Sequence, residues 1–466
     1  MAPTPETLHL LVLVHGMWGS PIHLAEMDRI INERIERDAE VMGDGSSVRT
    51  LLVQSNKEAS TYDGIDWGGE RVADEVQEEI ERLAGEGTKV TKLSVVGYSL
   101  GGLVGRYLLG VLHQRDLFKT ITPVNFFTVA TPHLGIINYP TFRSRMFAFF
   151  GQNLLSRTGE QFYSIDKWSA KGRPLLEVMA DPQRVFYQAL ALFPNICFYA
   201  NAVNDVTVPY LTSAVELEDP FMDHKLNGLT VDLDEKYSPI IASYNLPAVR
   251  PPPPPSPKIF THEWLQSMQP QINLPPRFNK GFPYNIGIYL SLPVLMPALL
   301  VMIAIRLGLD SRSSRGRIKL LESEESYRAR LVHIVGQLEK QMEDVVVDYM
   351  DDPDSLVARS TDAAVPAGPS SSTTLTDPEQ GAEIVPTPKW KKEKGQGKSK
   401  GKAKLSDVQL VMIKNLNTLP NLRKKLAFIH PVMNAHAVII ARDVKGFPHH
   451  KEGHGVLKHL ADGLIL

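Results

Sequence analysis

The pentapeptide Gly97-Tyr98-Ser99-Leu100-Gly101 follows the apolar run Leu93 to Val96 and opens the helical pattern Leu100 to His113. A serine on a strand-to-helix turn this sharp needs glycine two residues to either side, because a Cβ there would strike the neighbouring backbone. Such a turn exists only where a strand feeds directly into a helix that folds back on its sheet, which confines the chain to α/β architectures. A phosphate-binding loop is the competing use of a Gly-rich strand-to-helix turn, but the Lys-Ser/Thr pair it requires is missing after Gly101. The rest of residues 1–246 fits a parallel sheet covered on both faces. Short apolar runs at Leu8 to Val14, Arg49 to Val53, Lys92 to Val96, Val124 to Ala130 and Ile196 to Val203 alternate with helical patterns, among them Glu70 to Leu83.

A serine at such an elbow becomes a nucleophile only with a base, an acid and donors for a developing oxyanion. In this fold they follow the serine in the order acid, then histidine. Asp205 closes the run Ile196 to Val203 and is the expected acid; Asp219, Asp223 and Asp232 lie in less strand-like surroundings. Nine histidines follow Asp205: His224, His262, His333, His430, His436, His449, His450, His454 and His459. His436 has the required setting, since Lys424 to Ile429 reads as a strand, Pro431 to Ala435 as a loop and Ala437 onward as a helix. His430 is its near competitor. The expected oxyanion donors are the backbone amides of Leu100, next to the nucleophile, and Met17, in the loop His15-Gly16-Met17-Trp18-Gly19 after the first strand. His15 precedes the nucleophile and reads as a loop-ordering residue; a turn-forming role is the alternative for Asp205.

The whole chain of 466 residues carries a formal net charge of -2 with 43% hydrophobic and 22% charged residues, a globular composition that argues against a protein devoted to nucleic acid. Its single cysteine, Cys197, allows no intramolecular disulfide, and the apolar N-terminal run has no Lys or Arg ahead of it, so a cytosol-facing protein is expected. No metal or organic cofactor is implied; the spacing of His449, His450, His454 and His459 reads as a solvated tail over 446–466.

Past the first core segment the pattern changes. Pro251 to Pro255 marks a linker, 247–280, and residues 281–309 carry no charged side chain before Arg306. About 20 apolar residues suffice to cross a bilayer core. A single crossing here would separate His436 from Ser99, so the expected form is a hairpin broken at Pro293 and Pro297 that enters and leaves one leaflet, with each arm about 15 Å long. Arg306, Arg312, Arg315, Arg317 and Lys319 would hold its exit at an anionic surface. Residues 310–352 read as an amphipathic helix, 353–404 as a Ser/Pro/Lys-rich disordered insertion, and 405–445 as the last part of the core. The lysines between Lys389 and Lys404 read as a solvated linker rather than a nucleic-acid site. Ile136 to Leu192 forms either a lid or acyl-binding wall or a helical cover for the sheet.

The segments VHGMWG, VVGYSLGG, FFTVATPHLG, PLLEVMADP, FYANAVNDVTVPY and NAHAVIIARD, within Leu8 to Tyr210 and Leu405 to Asp443, resemble the eukaryotic serine esterases of lipid metabolism, particularly the fungal lipid-droplet and acylglycerol lipases. The resemblance implies an α/β-hydrolase fold and a triad on Ser99, Asp205 and His436. It also implies a lipid substrate, but it weakens over 247–404; contact of 281–309 with a lipid-droplet or endoplasmic-reticulum surface is expected from the apolar run itself, since a one-leaflet hairpin suits a phospholipid monolayer. His133, in ATPHLG, precedes the acid and reads as structural. An acyltransferase using the same triad and a non-catalytic membrane scaffold are the alternatives.

Overall fold

A computed structural model describes residues 6–42, 47–140, 151–169, 171–249, 251–252, 284–323, 403–432 and 434–466. Six parallel strands form the sheet: β1 (Glu6–Val14), β2 (Ser47–Leu52), β3 (Thr88–Tyr98), β4 (Thr122–Val129), β5 (Asn195–Asn201) and, after the small antiparallel pair β6 (Thr230–Leu233) and β7 (Ile241–Asn245), β8 (Leu422–Ala427). They lie in the order β2-β1-β3-β4-β5-β8, so the chain reverses direction across the sheet between β1 and β3. In open α/β sheets that reversal leaves a crevice at the strands' carboxyl ends, where ligands bind. This is the doubly wound α/β-hydrolase architecture.

Strand side chains alternate between two apolar layers. Leu10, Val12 and Val14 of β1 pack with helices α2 (Ile65–Gly85) and α3 (Leu100–Gln114), whereas Leu11 and Leu13 face α1 (Ala25–Met42) on the other side. Burial on both faces is why these strands read as near-continuous apolar runs rather than as an alternation.

Between β4 and β5 lie α4 (Ser156–Phe162), α5 (Leu175–Met179) and α6 (Val185–Ala191). Leu175, Leu176, Met179, Phe186 and Leu190 are buried in the same core as α3, so the described part of Ile136 to Leu192 is a cover for the sheet and not a lid. The apolar stretch Met146 to Phe150 lies outside the described residues, as do most of the linker and 324–402, which holds the expected insertion and the larger part of 310–352.

Two expectations are corrected. The first is the hairpin. After the short helix α7 (Tyr210–Ser213), α8 runs unbroken over Tyr284–Ser323 with Pro293 and Pro297 inside it. Each proline removes one N–H and crowds the carbonyl four residues earlier, but an exposed helix can turn that carbonyl outward and continue. Ser311, Ser314 and Ile318, near its carboxyl end, are buried against the core domain, while Leu290, Val294, Leu299 and Val301 stand exposed.

The second correction is the tail. Beyond α9 (Asp407–Leu416), β8 and α10 (Ala435–Val438), helix α11 (His454–Asp462) buries Val456, Leu457, Leu460 and Ala461 in the layer that contains Met27 and Ile30 of α1. The Asn125 side chain accepts from the Ile465 N–H and donates to the Ile465 carbonyl, tying the last residues to β4. His450 and His459 belong to this packing: the Nδ1 of His450 accepts from the Asp443 N–H, and Nδ1 of His459 pairs with the Tyr199 hydroxyl at 2.9 Å. Among the described residues no cluster of three or more His, Cys, Asp or Glu is arranged to hold a metal ion.

Candidate active site

Ser99 sits between β3 and α3 at φ 54, ψ −125, a conformation that a non-glycine residue adopts only under constraint. Its N–H donates to the Val129 carbonyl of the neighbouring strand at 2.9 Å, which holds the turn in place. The glycines leave the backbone room to pass. A Cβ on Gly97 would meet the Cα of Gly102 at 2.4 Å, and one on Gly101 would meet the Val14 carbonyl oxygen at 2.1 Å. A third glycine that the motif does not demand, Gly102, faces Thr131, whose Oγ1 would lie 2.1 Å from an added Cβ.

The structure brings Ser99, His436 and Asp205 together across more than 330 positions of sequence. Nε2 of His436 is 3.0 Å from the Ser99 hydroxyl and Nδ1 is 2.9 Å from Oδ2 of Asp205. The Asp205 side chain is 1% exposed, and besides His436 it accepts from the Asn201 side-chain amide (2.8 Å) and the N–H groups of Thr207 (3.0 Å) and Val208 (2.7 Å). His436 is held from three sides. The Asn434 side chain caps its N–H, Asn204 accepts from the N–H of Ala435, and the Tyr98 hydroxyl donates to its carbonyl at 2.9 Å. Burial keeps the Tyr98 phenol protonated far above its ordinary range, so it acts as a fixed donor.

Among the described contacts, no other candidate acid or base reaches Ser99. Asp219 accepts from the Phe221 N–H, and burial pushes its carboxyl up to about 6; Asp232 accepts from Ser243 in the β6–β7 pair. His430 is exposed and faces Asn204. His15 is buried with Nδ1 3.1 Å from the Gly16 carbonyl, and burial lowers its basicity. His133 stacks on Phe198 at 3.9 Å and pairs with Thr128 at 2.9 Å, and burial keeps it neutral.

Pairing of Val14 with Gly97 sets the loop after β1 beside the nucleophile. A Cβ on Gly16 would come within 2.8 Å of the Ser99 Cβ, so the backbone at 16–17 borders the serine directly. The backbone amides of Met17 and Leu100 donate to no acceptor among the described residues, which leaves both available for a substrate oxygen. Asn201, Asn204, Asn434 and Tyr98 are site residues that sequence reasoning missed. All but Asn201 act on or through backbone groups whose positions only the fold determines.

A strained serine with an imidazole on its hydroxyl and a buried carboxylate behind the imidazole is the arrangement of a serine hydrolase. Residues 4–215 match the model of the family described as "Putative serine esterase". That stretch of the esterase match includes Ser99, Asp205 and Met17, while His436 lies beyond it. Among curated proteins, a putative lipase of Schizosaccharomyces pombe is 31% identical over 217 residues, 45% of this chain and 26% of that protein. A putative lipase of Saccharomyces cerevisiae is 27% identical over 213 residues, 44% of this chain and 28% of that protein. The matched part of the chain thus spans about a quarter of the length of these relatives. Among solved structures, a putative cell surface hydrolase of Lactobacillus plantarum is 13% identical, with 46% of this chain and 75% of that one covered and a TM-score of 0.25.

Proposed function

We propose that the protein is a serine esterase that hydrolyses acyl esters of glycerolipids or glycerophospholipids at a membrane or lipid-droplet surface. The observation that carries the reading is the Ser99–His436–Asp205 relay at 3.0 and 2.9 Å. His436 takes the Ser99 proton through Nε2 as the hydroxyl attacks the ester carbonyl, and Asp205 orients the ring and balances the imidazolium that forms. The Met17 and Leu100 N–H groups receive the oxyanion. His436 then returns its proton to the leaving alcohol, and water, activated by the same imidazole, releases the fatty acid from Ser99.

Lipid as substrate is supported by α8. Residues 284–305 hold no charged side chain, and Leu290, Val294, Leu300 and Val301 of this stretch are exposed. An apolar surface of that extent on a soluble protein would aggregate unless covered, and a lipid layer covers it without a specific partner. A cytosol-facing lipid-droplet or endoplasmic-reticulum surface fits the single buried cysteine.

The test uses the full chain with phospholipid vesicles and a panel of monoacyl-, triacyl- and phospholipids. The wild type reacts with a fluorophosphonate probe and releases fatty acid, and Ser99→Ala does neither. Fatty-acid release that survives in Ser99→Ala would overturn the assignment.

A further inference from the structure

The loop that carries Met17 is not free-standing. Trp18, its next residue, has φ 53, a left-handed conformation that is unfavourable for a tryptophan and persists only where neighbours impose it. The neighbours come from one short segment, the 3-10 turn Glu58–Tyr62. The Trp18 N–H donates to Thr61 Oγ1 at 3.2 Å, its indole Nε1–H donates to the Tyr62 hydroxyl at 2.8 Å, and the Glu58 N–H donates to the Gly19 carbonyl at 2.8 Å.

That turn is in turn gripped by the docked end of α8. Ser314 donates to the buried carboxylate of Asp63 at 2.6 Å, and Arg317 donates to the same carboxylate at 2.8 Å and to the Ala59 carbonyl at 2.8 Å. Arg71 of α2 reaches the other Asp63 oxygen at 2.8 Å, so the hub is anchored in the core as well as on α8. The exposed apolar half of the same helix lies toward its amino end. One continuous helix therefore joins the exposed apolar surface to the turn that holds the loop carrying Met17.

We propose that the docked end of α8 is a positioning element for catalysis: Ser314 and Arg317 seat the 58–62 turn on Asp63, and the turn holds Trp18 and the Met17 N–H beside Ser99. Ser314, Arg317 and Trp18 act here as positioning residues. The inference rests on the hydrolase reading of Ser99. An oxyanion donor works only in the transition state, so a loosened loop lowers kcat and leaves KM nearly untouched.

The experiment takes the full chain as wild type, Arg317→Ala, Arg317→Lys, Trp18→Phe and the Arg317→Ala/Trp18→Phe double variant, with the soluble ester p-nitrophenyl butyrate. Backbone hydrogen exchange is followed at residues 15–20. Arg317→Ala should speed exchange there and lower kcat about tenfold with KM within about twofold. Arg317→Lys should recover part of both. Trp18→Phe, which keeps the ring and loses the indole donor, should act in the same direction, and the double variant should be no worse than the weaker single one. Unchanged exchange at 15–20 in folded Arg317→Ala, or effects that multiply in the double variant, would overturn the link. Should Arg317→Ala fail to fold, Arg317→Lys and Trp18→Phe decide by the same readouts. Faster exchange without any Ser99-dependent turnover in the wild type would support the link and refute the hydrolase reading.

Discussion

Asp205 accepts hydrogen bonds from Asn201, Thr207, Val208 and His436, which leaves its carboxylate almost no freedom to turn. In Asp205→Asn one of those oxygens becomes a donor, and His436 must present the wrong tautomer to Ser99. The expected loss in kcat is about ten thousandfold with the fold intact; steady-state kinetics on a soluble ester beside a thermal melt measures it, and a loss below tenfold would remove Asp205 from the relay. Gly101→Ala is expected to fail differently. Its Cβ would sit 2.1 Å from the Val14 carbonyl oxygen and 2.5 Å from that of His15, so the elbow and the loop after β1 cannot both keep their places, and soluble yield or activity should collapse. That Ser99, Asp205 and His436 would meet was legible in the sequence, because the elbow has a steric signature and the carboxylate and imidazole follow it at the ends of strands. Tyr98 was not, since the middle positions of the pentapeptide carry no requirement of their own and its partner is a backbone carbonyl 338 residues away.

At the level of elements, α8 is the part that sequence patterning described least well. Its prolines suggested a break, and Arg317 was expected, with Arg306, Arg312, Arg315 and Lys319, to hold the exit at an anionic surface. Arg317 instead pairs with Asp63, as does Ser314; Asp63 is about 250 residues away in sequence and has nothing in its neighbourhood to mark it as a dock. The exposed half makes its own prediction. Leu300→Asp with Val301→Asp, at positions 58% and 59% exposed, should abolish flotation with vesicles while hydrolysis of a soluble ester stays near wild type. Vesicle binding that survives both charges would move the lipid contact elsewhere. Helix α11 was hidden for a simpler reason, since its nine residues sit among histidines and glycines. Leu460 is fully buried in it, and Leu460→Ala should cost about 2–5 kcal/mol in chemical denaturation. A cost under about 0.5 kcal/mol would mean that the helix is peripheral after all.

Across the whole molecule, the central strands of the sheet were legible because strands buried on both faces are continuous apolar runs; the partly buried outer strands β2 and β8 carry charged residues, yet all six expected segments became strands within a few residues. Strand order and the β6–β7 pair were not, because register and neighbour choice depend on contacts between distant segments. The same close packing sets how stability responds to acid. Burial brings His9, His450 and His459 down to about 4 and holds His133 well below its ordinary value, so the native state keeps all four neutral. The unfolded chain takes up protons on them near their free value of about 6.5. Below that pH the unfolded state binds more protons, so their contribution is complete above about 6.5 and is lost as the pH falls toward 4. Asp166 and Asp219, raised by burial to about 6, act in the opposite sense: the native state holds their protons first, which favours folding as the pH falls through that range. Four histidines against two carboxyls leave a net loss, and the melting temperature should fall by several degrees between about pH 7.5 and pH 5. His9→Gln, which can keep the 2.7 Å link to Ser94 without a titrating ring, should flatten that slope. A melting temperature that is level or rises over the interval would show that the buried carboxyls dominate.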